Sequence, residues 1–153
     1  MSEFKTAVPE LLSPAGDTER FMRALYFGAN AIYVGGSAFG MRAAPSNFTF
    51  DELKKAVNVA HAQGVKVYLA CNTVPMNDEI TKIPDFLMSA ESCGVDAFII
   101  SDMGVMSLAK KYCPEVDIHI STQAGITNYA SANAWYELGA SRIVTARELS
   151  LDD

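Results

Sequence analysis

The stretch Cys93-Gly94-Val95-Asp96-Ala97-Phe98-Ile99-Ile100 decides the fold. A helical pattern ends at its glycine, and a run of mostly apolar residues begins directly after it. Glycine ends helices because it adopts the left-handed conformation without strain, and such an apolar run is typical of a parallel strand covered on both faces. The same junction occurs at residues 27–34, 63–69 and 138–144. Four such junctions predict a repeated helix–strand architecture.

The segments between these junctions complete an alternation of helices and strands. Thr49-Phe50-Asp51-Glu52 has the spacing of a capping box, and Asp17, Asn77 and Asn128 are suited to cap further helices. One helix is predicted after Thr49, and the others cover 18–27, 78–92, 103–112 and 129–138. The predicted strands cover 9–13, 31–35, 65–71, 95–101, 116–122 and 141–146. Strict alternation predicts an α/β fold with a parallel sheet.

Two parallel architectures compete for this pattern, a barrel and an open doubly wound sheet. No Gly-x-Gly-x-x-Gly follows the first strand, and Met41-Arg42 stands where a P-loop has Lys-Ser/Thr. Six consecutive units without a nucleotide signature favour a TIM-type (β/α)8 barrel. A complete barrel needs about 250 residues. We therefore expect residues 1–153 to be one domain, a truncated barrel of the N-terminal six βα units, with the rest of the parent protein missing.

Composition excludes several classes of protein. Half of the residues are hydrophobic and 20% are charged, as in an ordinary globular domain. No apolar run is long enough to span a membrane and no signal peptide is visible, which predicts a cytoplasmic protein without a membrane partner. The net charge of −6 gives no basic footprint for nucleic acid. Cys71, Cys93 and Cys113 lack short spacings, which favours buried reduced thiols over disulfides or a metal site.

Polar residues collect where the predicted strands end, and chemistry in a barrel takes place at that end. Arg42 and Arg147 are candidates for binding anions because guanidinium groups hold carboxylates through two hydrogen bonds; a surface ion pair is the alternative for each. Capping of the next helix is the alternative for Asn72 and Asp102. The candidate substrate-binding residues are Arg42, Asn72, Asp102, Ser121, Gln123, Arg147 and Glu148.

No catalytic residue can be assigned from motifs. His61 is expected to be exposed or packed near a helix end. His119 alternates with Ile118 and Ile120, so it points to the opposite face, as a buried core histidine or as a proton-transfer group. Neither His-Glu-x-x-His nor Gly-x-Ser-x-Gly occurs.

From residue 8 onward the chain resembles a known family of bacterial proteins, the collagenase-like peptidases of unassigned catalytic type. This family is called peptidase family U32. Nine segments carry this resemblance: Pro9–Gly16, Gly28–Gly36, Asn47–Phe48, His61, Asn72–Thr73, Ser101–Gly104, His119–Gln123, Arg142–Val144 and Ala146–Ser150. The resemblance implies a TIM-like barrel in the parent protein. It also implies that the strand-end residues named above line a pocket.

The resemblance implies two activities for the parent. One is peptide hydrolysis. The other is oxygen-independent hydroxylation of tRNA wobble uridine, ribosomal RNA or a ubiquinone precursor, with prephenate as oxygen source and an iron–sulfur cluster held by four downstream cysteines. Hydroxylation suits the residues better, because Arg42 and Arg147 are suited to the dicarboxylate prephenate and no nucleophile–base pair is visible. A non-catalytic binding or assembly module is the third alternative.

Two expectations concern the chain by itself. It should be inactive and should bind no iron, because the cysteines that match a cluster lie outside it. The first and last strands, 9–13 and 141–146, should lack neighbours on one side. Such edges pair readily with other chains, so we expect the chain to self-associate.

Overall fold

The structure is a computed structural model that describes residues 8–36, 38–40, 47–150 and 152. It contains one sheet of six parallel strands, in the order β1-β2-β3-β4-β5-β6. The strands are β1 Leu12–Ala15, β2 Ala31–Gly35, β3 Lys66–Cys71, β4 Ala97–Ile100, β5 Asp117–Ile120 and β6 Arg142–Ile143. The helices are α1 Thr18–Tyr26, α2 Phe50–His61, α3 Asn77–Ile80, α4 Ile83–Ser92, α5 Met103–Tyr112 and α6 Tyr129–Glu137.

Strand order decides between the two architectures. A doubly wound sheet reverses its order at a switch point, whereas a barrel adds each new strand beside the previous one. All five neighbouring pairs here are parallel and follow chain order. The prediction of a truncated TIM-type barrel with six βα units is confirmed, and the open-sheet alternative is wrong.

The predicted local signals position most elements. The backbone N–H of Thr49 donates to Glu52 Oε2 at 2.9 Å, and the N–H of Glu52 donates to Thr49 Oγ1 at 3.3 Å, so the capping box is present. Asp17 and Asn128 cap α1 and α6. The four junction glycines all have positive φ, from 71° at Gly64 to 104° at Gly139. The helix ends therefore form as predicted.

Three predicted elements differ most from the structure. The predicted helix 78–92 is two helices, because Pro84 has no N–H for the helix ladder and sits in the first turn of α4 instead. Asn77, which was expected to cap this helix, is instead the first residue of α3; Met76 is the N-cap residue, and its backbone N–H donates to Glu79 Oε2 at 2.8 Å. β1 begins at Leu12, three residues later than predicted, and β6 keeps only two of its six predicted residues.

The two faces of the sheet pack differently. The outward face, which carries residues such as Ile32, Leu69 and Phe98, forms the main core under the helices. The inward face forms a separate small cluster around Ala31, Tyr68 and Ala97. Side chains alternate along each strand, so each strand contributes to both.

The sheet has two open edges within the described residues, since β1 pairs only with β2 and β6 only with β5. Self-association through these edges stays a prediction. No described helix has the length and apolar character needed to cross a membrane.

Candidate functional site

A cavity of about 420 Å³ lies at the C-terminal ends of the strands. This is the end of a barrel at which ligands bind, and the volume is that of a small-molecule site. Apolar side chains, among them Leu12, Tyr33, Ile99 and Val144, form part of the lining. Seven residues with polar or charged side chains also contribute: Arg20, Asn47, Asn72, Ser121, Thr122, Gln123 and Arg147.

Asn72, Ser121 and Gln123 form one hydrogen-bonded cluster on the cavity wall. The Ser121 hydroxyl donates to Gln123 Oε1 at 2.8 Å, and Asn72 Nδ2 donates to the same oxygen at 3.2 Å. Ser121 is buried and also caps the 3₁₀ turn Thr122–Ala124 by accepting from the Gln123 backbone N–H. Because two donors hold the Gln123 oxygen, the side chain is fixed in orientation. The structure thus brings together three of the predicted site residues.

Two glycines at the end of β2, Gly35 and Gly36, allow close packing beside the cavity. Asn47 Nδ2 donates to the Gly36 carbonyl at 2.9 Å. A Cβ on Gly36 would lie 2.8 Å from the Phe86 ring, and one on Gly35 would lie 3.1 Å from Asn47. These two glycines therefore serve close packing.

Two arginines reach the cavity from opposite ends of the sheet. Arg147 follows β6 and is exposed, and it forms no ion pair within the described part of the chain. Arg20 lies in the first turn of α1, directly after β1, and its guanidinium donates to Asp17 Oδ2 at 2.6 Å. Sequence reasoning missed Arg20, although a cation near a helix N-terminus, where the dipole disfavours positive charge, is a signal that could have found it. Arg42 lies outside the described residues.

Two further predicted site residues do not line the cavity. The Asp102 carboxylate accepts from the Val105 backbone N–H at 2.9 Å and caps α5, so the capping alternative describes its contacts. Glu148 is exposed and is not among the residues that line the cavity.

A polar network lies on the inward face beneath the cavity. Arg142 donates to both Glu10 oxygens, at 2.6 and 3.4 Å, and the Tyr68 hydroxyl donates to Glu10 Oε2 at 2.9 Å. The His119 ring packs edge-on against the Tyr68 ring, with centroids 4.6 Å apart. Sequence reasoning placed His119 correctly on the opposite face from Ile118 and Ile120, and it is buried. It missed the other three residues as a group.

The network shifts the pKa values of its members. The hydrogen bond from Arg142 lowers the pKa of Glu10. Burial, helped by the bond to Glu10, raises the pKa of Tyr68 to about 12. Burial and the Arg142 charge lower the pKa of His119 to about 4, so its imidazole is neutral at physiological pH.

Neither a nucleophile–base pair nor a metal cluster is found in the part of the chain that the structure describes. Ser121 bonds only to amide groups there, and no three His, Cys, Asp or Glu side chains gather. Cys71, Cys93 and Cys113 are buried, and burial raises the pKa of each thiol, to about 12 for Cys71. Metal ligation needs thiolates, so these cysteines do not fit an iron–sulfur cluster.

Comparison with known proteins extends these observations. The chain is 43% identical over 145 residues to a tRNA hydroxylation protein P of Helicobacter pylori, covering 94% of this chain and 34% of that protein. It is 40% identical over 143 residues to an uncharacterized protease of Methanocaldococcus jannaschii, covering 94% of this chain and 34% of the relative. The chain therefore spans about a third of the length of these curated relatives.

A solved structure of a U32 peptidase has a similar fold. It superposes with a TM-score of 0.73 at 18% identity, covering 95% of this chain and 61% of that one. The model of Peptidase family U32 matches residues 16–153. With nearly the whole chain matched, the protein belongs to Peptidase family U32.

Proposed function

We propose that this chain forms part of an enzyme that hydroxylates RNA, with tRNA wobble uridine as target and prephenate as oxygen source. The observation that carries the proposal is the cavity, which combines two guanidinium groups with an apolar lining and a fixed amide cluster. The similarity of the chain to tRNA hydroxylation proteins, over almost its whole length, supports RNA as the target. This activity would belong to the cytoplasm, where tRNA is modified.

The residues of the cavity suit a small dicarboxylate. Arg147 and Arg20 would each bind a carboxylate, since a guanidinium offers two parallel donors to it. The apolar lining, including Tyr33 and Ile99, would contact the hydrocarbon ring. Gln123, held by Ser121 and Asn72, would donate its amide N–H groups to an oxygen of the ligand. Arg42 remains a proposed third anion-binding group.

Two components of this activity must come from elsewhere in the protein. The buried thiols of this chain do not fit a four-cysteine cluster, so any iron–sulfur cluster needs other cysteines. The net charge of −6 offers little attraction to phosphates, so another part of the protein would bind the RNA.

Peptide hydrolysis is the second candidate, favoured by the family's description and by the protease relative. The contacts of Ser121 argue against it, because its hydroxyl bonds to amides and to no base among the described residues. Gelatin cleavage by the whole protein would test this candidate directly.

Prephenate binding tests the first proposal. Replacing Arg147 or Arg20 by Lys keeps the charge but removes the planar fork, so affinity should fall by roughly 1–3 kcal/mol in calorimetry. Arg23→Lys is the matched control, because Arg23 lies on α1 and pairs with the exposed Glu19 at 2.6 Å, away from the cavity. Equal affinity in all three variants would make the cavity arginines structural. Loss of hydroxylated wobble uridine from a strain lacking the protein would establish the RNA target.

A further inference from the structure

The polar network lies one residue layer below the cavity. Its four members each stand two positions before a residue that lines the cavity: Glu10 before Leu12, Tyr68 before Ala70, His119 before Ser121, and Arg142 before Val144. Residues two apart on a strand share a face. The network is therefore the layer that directly supports the cavity from below.

This layer connects the two ends of the sheet. Glu10 precedes β1 and Arg142 opens β6, so their ion pair joins residues that are 132 positions apart in sequence. β6 contains two residues, and within the described chain it has one strand neighbour, β5. Backbone pairing therefore holds β6 on one side only, and the Arg142 side chain connects it to Glu10 across the inward face.

The geometry of the pair is specific. Each terminal guanidinium nitrogen of Arg142 donates to a different oxygen of the Glu10 carboxylate in a forked arrangement, and the Tyr68 hydroxyl donates to the same carboxylate. The Arg142 guanidinium also lies over the Tyr68 ring, 5.4 Å from its centroid. Such a fork fixes direction as well as distance, which a single point charge does not.

We propose that the Glu10–Arg142 ion pair, held by Tyr68, sets the width of the cavity by fixing β1 relative to β6. Arg20 follows β1 through a short turn, and Arg147 follows β6 by four residues, so the pair also sets the separation of the two guanidinium groups. Glu10, Tyr68 and Arg142 are positioning residues in this role. The consequence for ligand affinity rests on the proposed function; the strand separation does not.

Strand separation can be measured without a ligand. Spin labels on Tyr26→Cys and Glu137→Cys, two exposed sites on α1 and α6, report the distance between the two ends of the sheet by pulsed electron resonance. The native thiols are buried and react slowly. We expect Arg142→Gln and Glu10→Gln to broaden the distance distribution, Tyr68→Phe to broaden it less, and the exchange of Glu10→Arg with Arg142→Glu to narrow it again. Glu19→Gln on the surface pair is the matched control and should change nothing.

Prephenate affinity gives the second readout. It should fall by about tenfold in Arg142→Gln, as when one charge-assisted hydrogen bond is lost, and recover in the exchanged pair. An unchanged distance distribution in Arg142→Gln and Glu10→Gln, with both variants folded by circular dichroism, would overturn the inference. So would an exchanged pair as broad as the single variants. If the unaltered protein binds no prephenate, the proposed function fails, and the label distances still decide the role of the pair.

Discussion

The same strands form the outward and the inward face of this sheet, but the two faces carry different kinds of side chain. On β4, Phe98 points outward into the main core, while Ala97 and Ile99 point inward. On β5, Ile118 and Ile120 pack under the helices, while His119 contacts Tyr68 on the inside. The outward face is apolar throughout the described core, and the inward face carries an ion pair, a phenol and an imidazole.

This difference indicates that the outward face mainly determines stability and the inward face mainly determines binding. The outward face gains its free energy from removing apolar area from water, and this requires only shape and volume. The inward face must satisfy polar groups in pairs, and no buried side-chain nitrogen or oxygen among the described residues lacks a partner. Outward substitutions should therefore change the free energy of unfolding, and inward ones should change geometry, pH response or affinity.

The largest expected effect is on the outward face. Phe98 is fully buried in the main core, so Phe98→Ala should lower the free energy of unfolding by about 3–5 kcal/mol through lost transfer energy and a residual cavity. Urea denaturation measures this change. Val59→Ala on α2, where the residue is 39% exposed, is the control and should cost only about 0.5 kcal/mol. An equal loss of unfolding free energy in both variants would contradict the assignment of the outward face as the main core.

An intermediate effect concerns His119 on the inward face. Because its pKa in the folded chain is lowered to about 4 from 6.5, the unfolded chain binds a proton more readily than the folded one. The neutral imidazole therefore contributes its full stability above pH 6.5, and this is lost as the pH falls toward 4. At pH 5 the loss should be about 2 kcal/mol.

His119→Phe tests this pH dependence, since phenylalanine keeps a ring beside Tyr68 and does not titrate. The variant should lose less stability than the unaltered chain between pH 7 and pH 5 in urea denaturation. His119→Gln, which also does not titrate, guards against a packing defect from the larger ring. The lowered pKa of Glu10 acts in the same direction at lower pH in all three proteins. The same slope in all three would show that His119 does not titrate differently on folding.

The two faces also differ in how far sequence predicts them. The outward face follows from the glycine junctions and the apolar runs such as Val95–Ile100, because both are local signals. Glu10–Arg142 and Arg20 depend on which strands become the ends of the sheet, and no local pattern encodes that. The break at Pro84 was predictable in principle, since proline removes a helix hydrogen bond, but the apolar period across 78–92 concealed it.

The smallest expected effect concerns Asp102, a polar residue at a strand end that caps a helix instead of lining the cavity. Asp102 and Asn72 both follow a strand, and both were predicted to line the cavity or to cap a helix. Asn72 does line it, and Asp102 instead accepts from the Val105 N–H. Asp102→Ala should therefore cost about 1 kcal/mol of stability through loss of the cap. Asp102→Asn should cost little, because asparagine caps equally well.

Affinity makes the test of Asp102 sharper than stability alone. If Asp102 acts only as a cap, Asp102→Asn keeps both the fold and the prephenate affinity, although it removes a negative charge beside the strand ends. A carboxylate that contacts the ligand or its proton would behave differently, because an amide cannot replace its charge. Calorimetry on Asp102→Asn, with Asn72→Ala as the variant that alters the cavity wall, measures this difference. A lowered prephenate affinity in a fully stable Asp102→Asn variant would show that the Asp102 carboxylate takes part in ligand binding. Residues outside the inward face of the sheet would then contribute to binding.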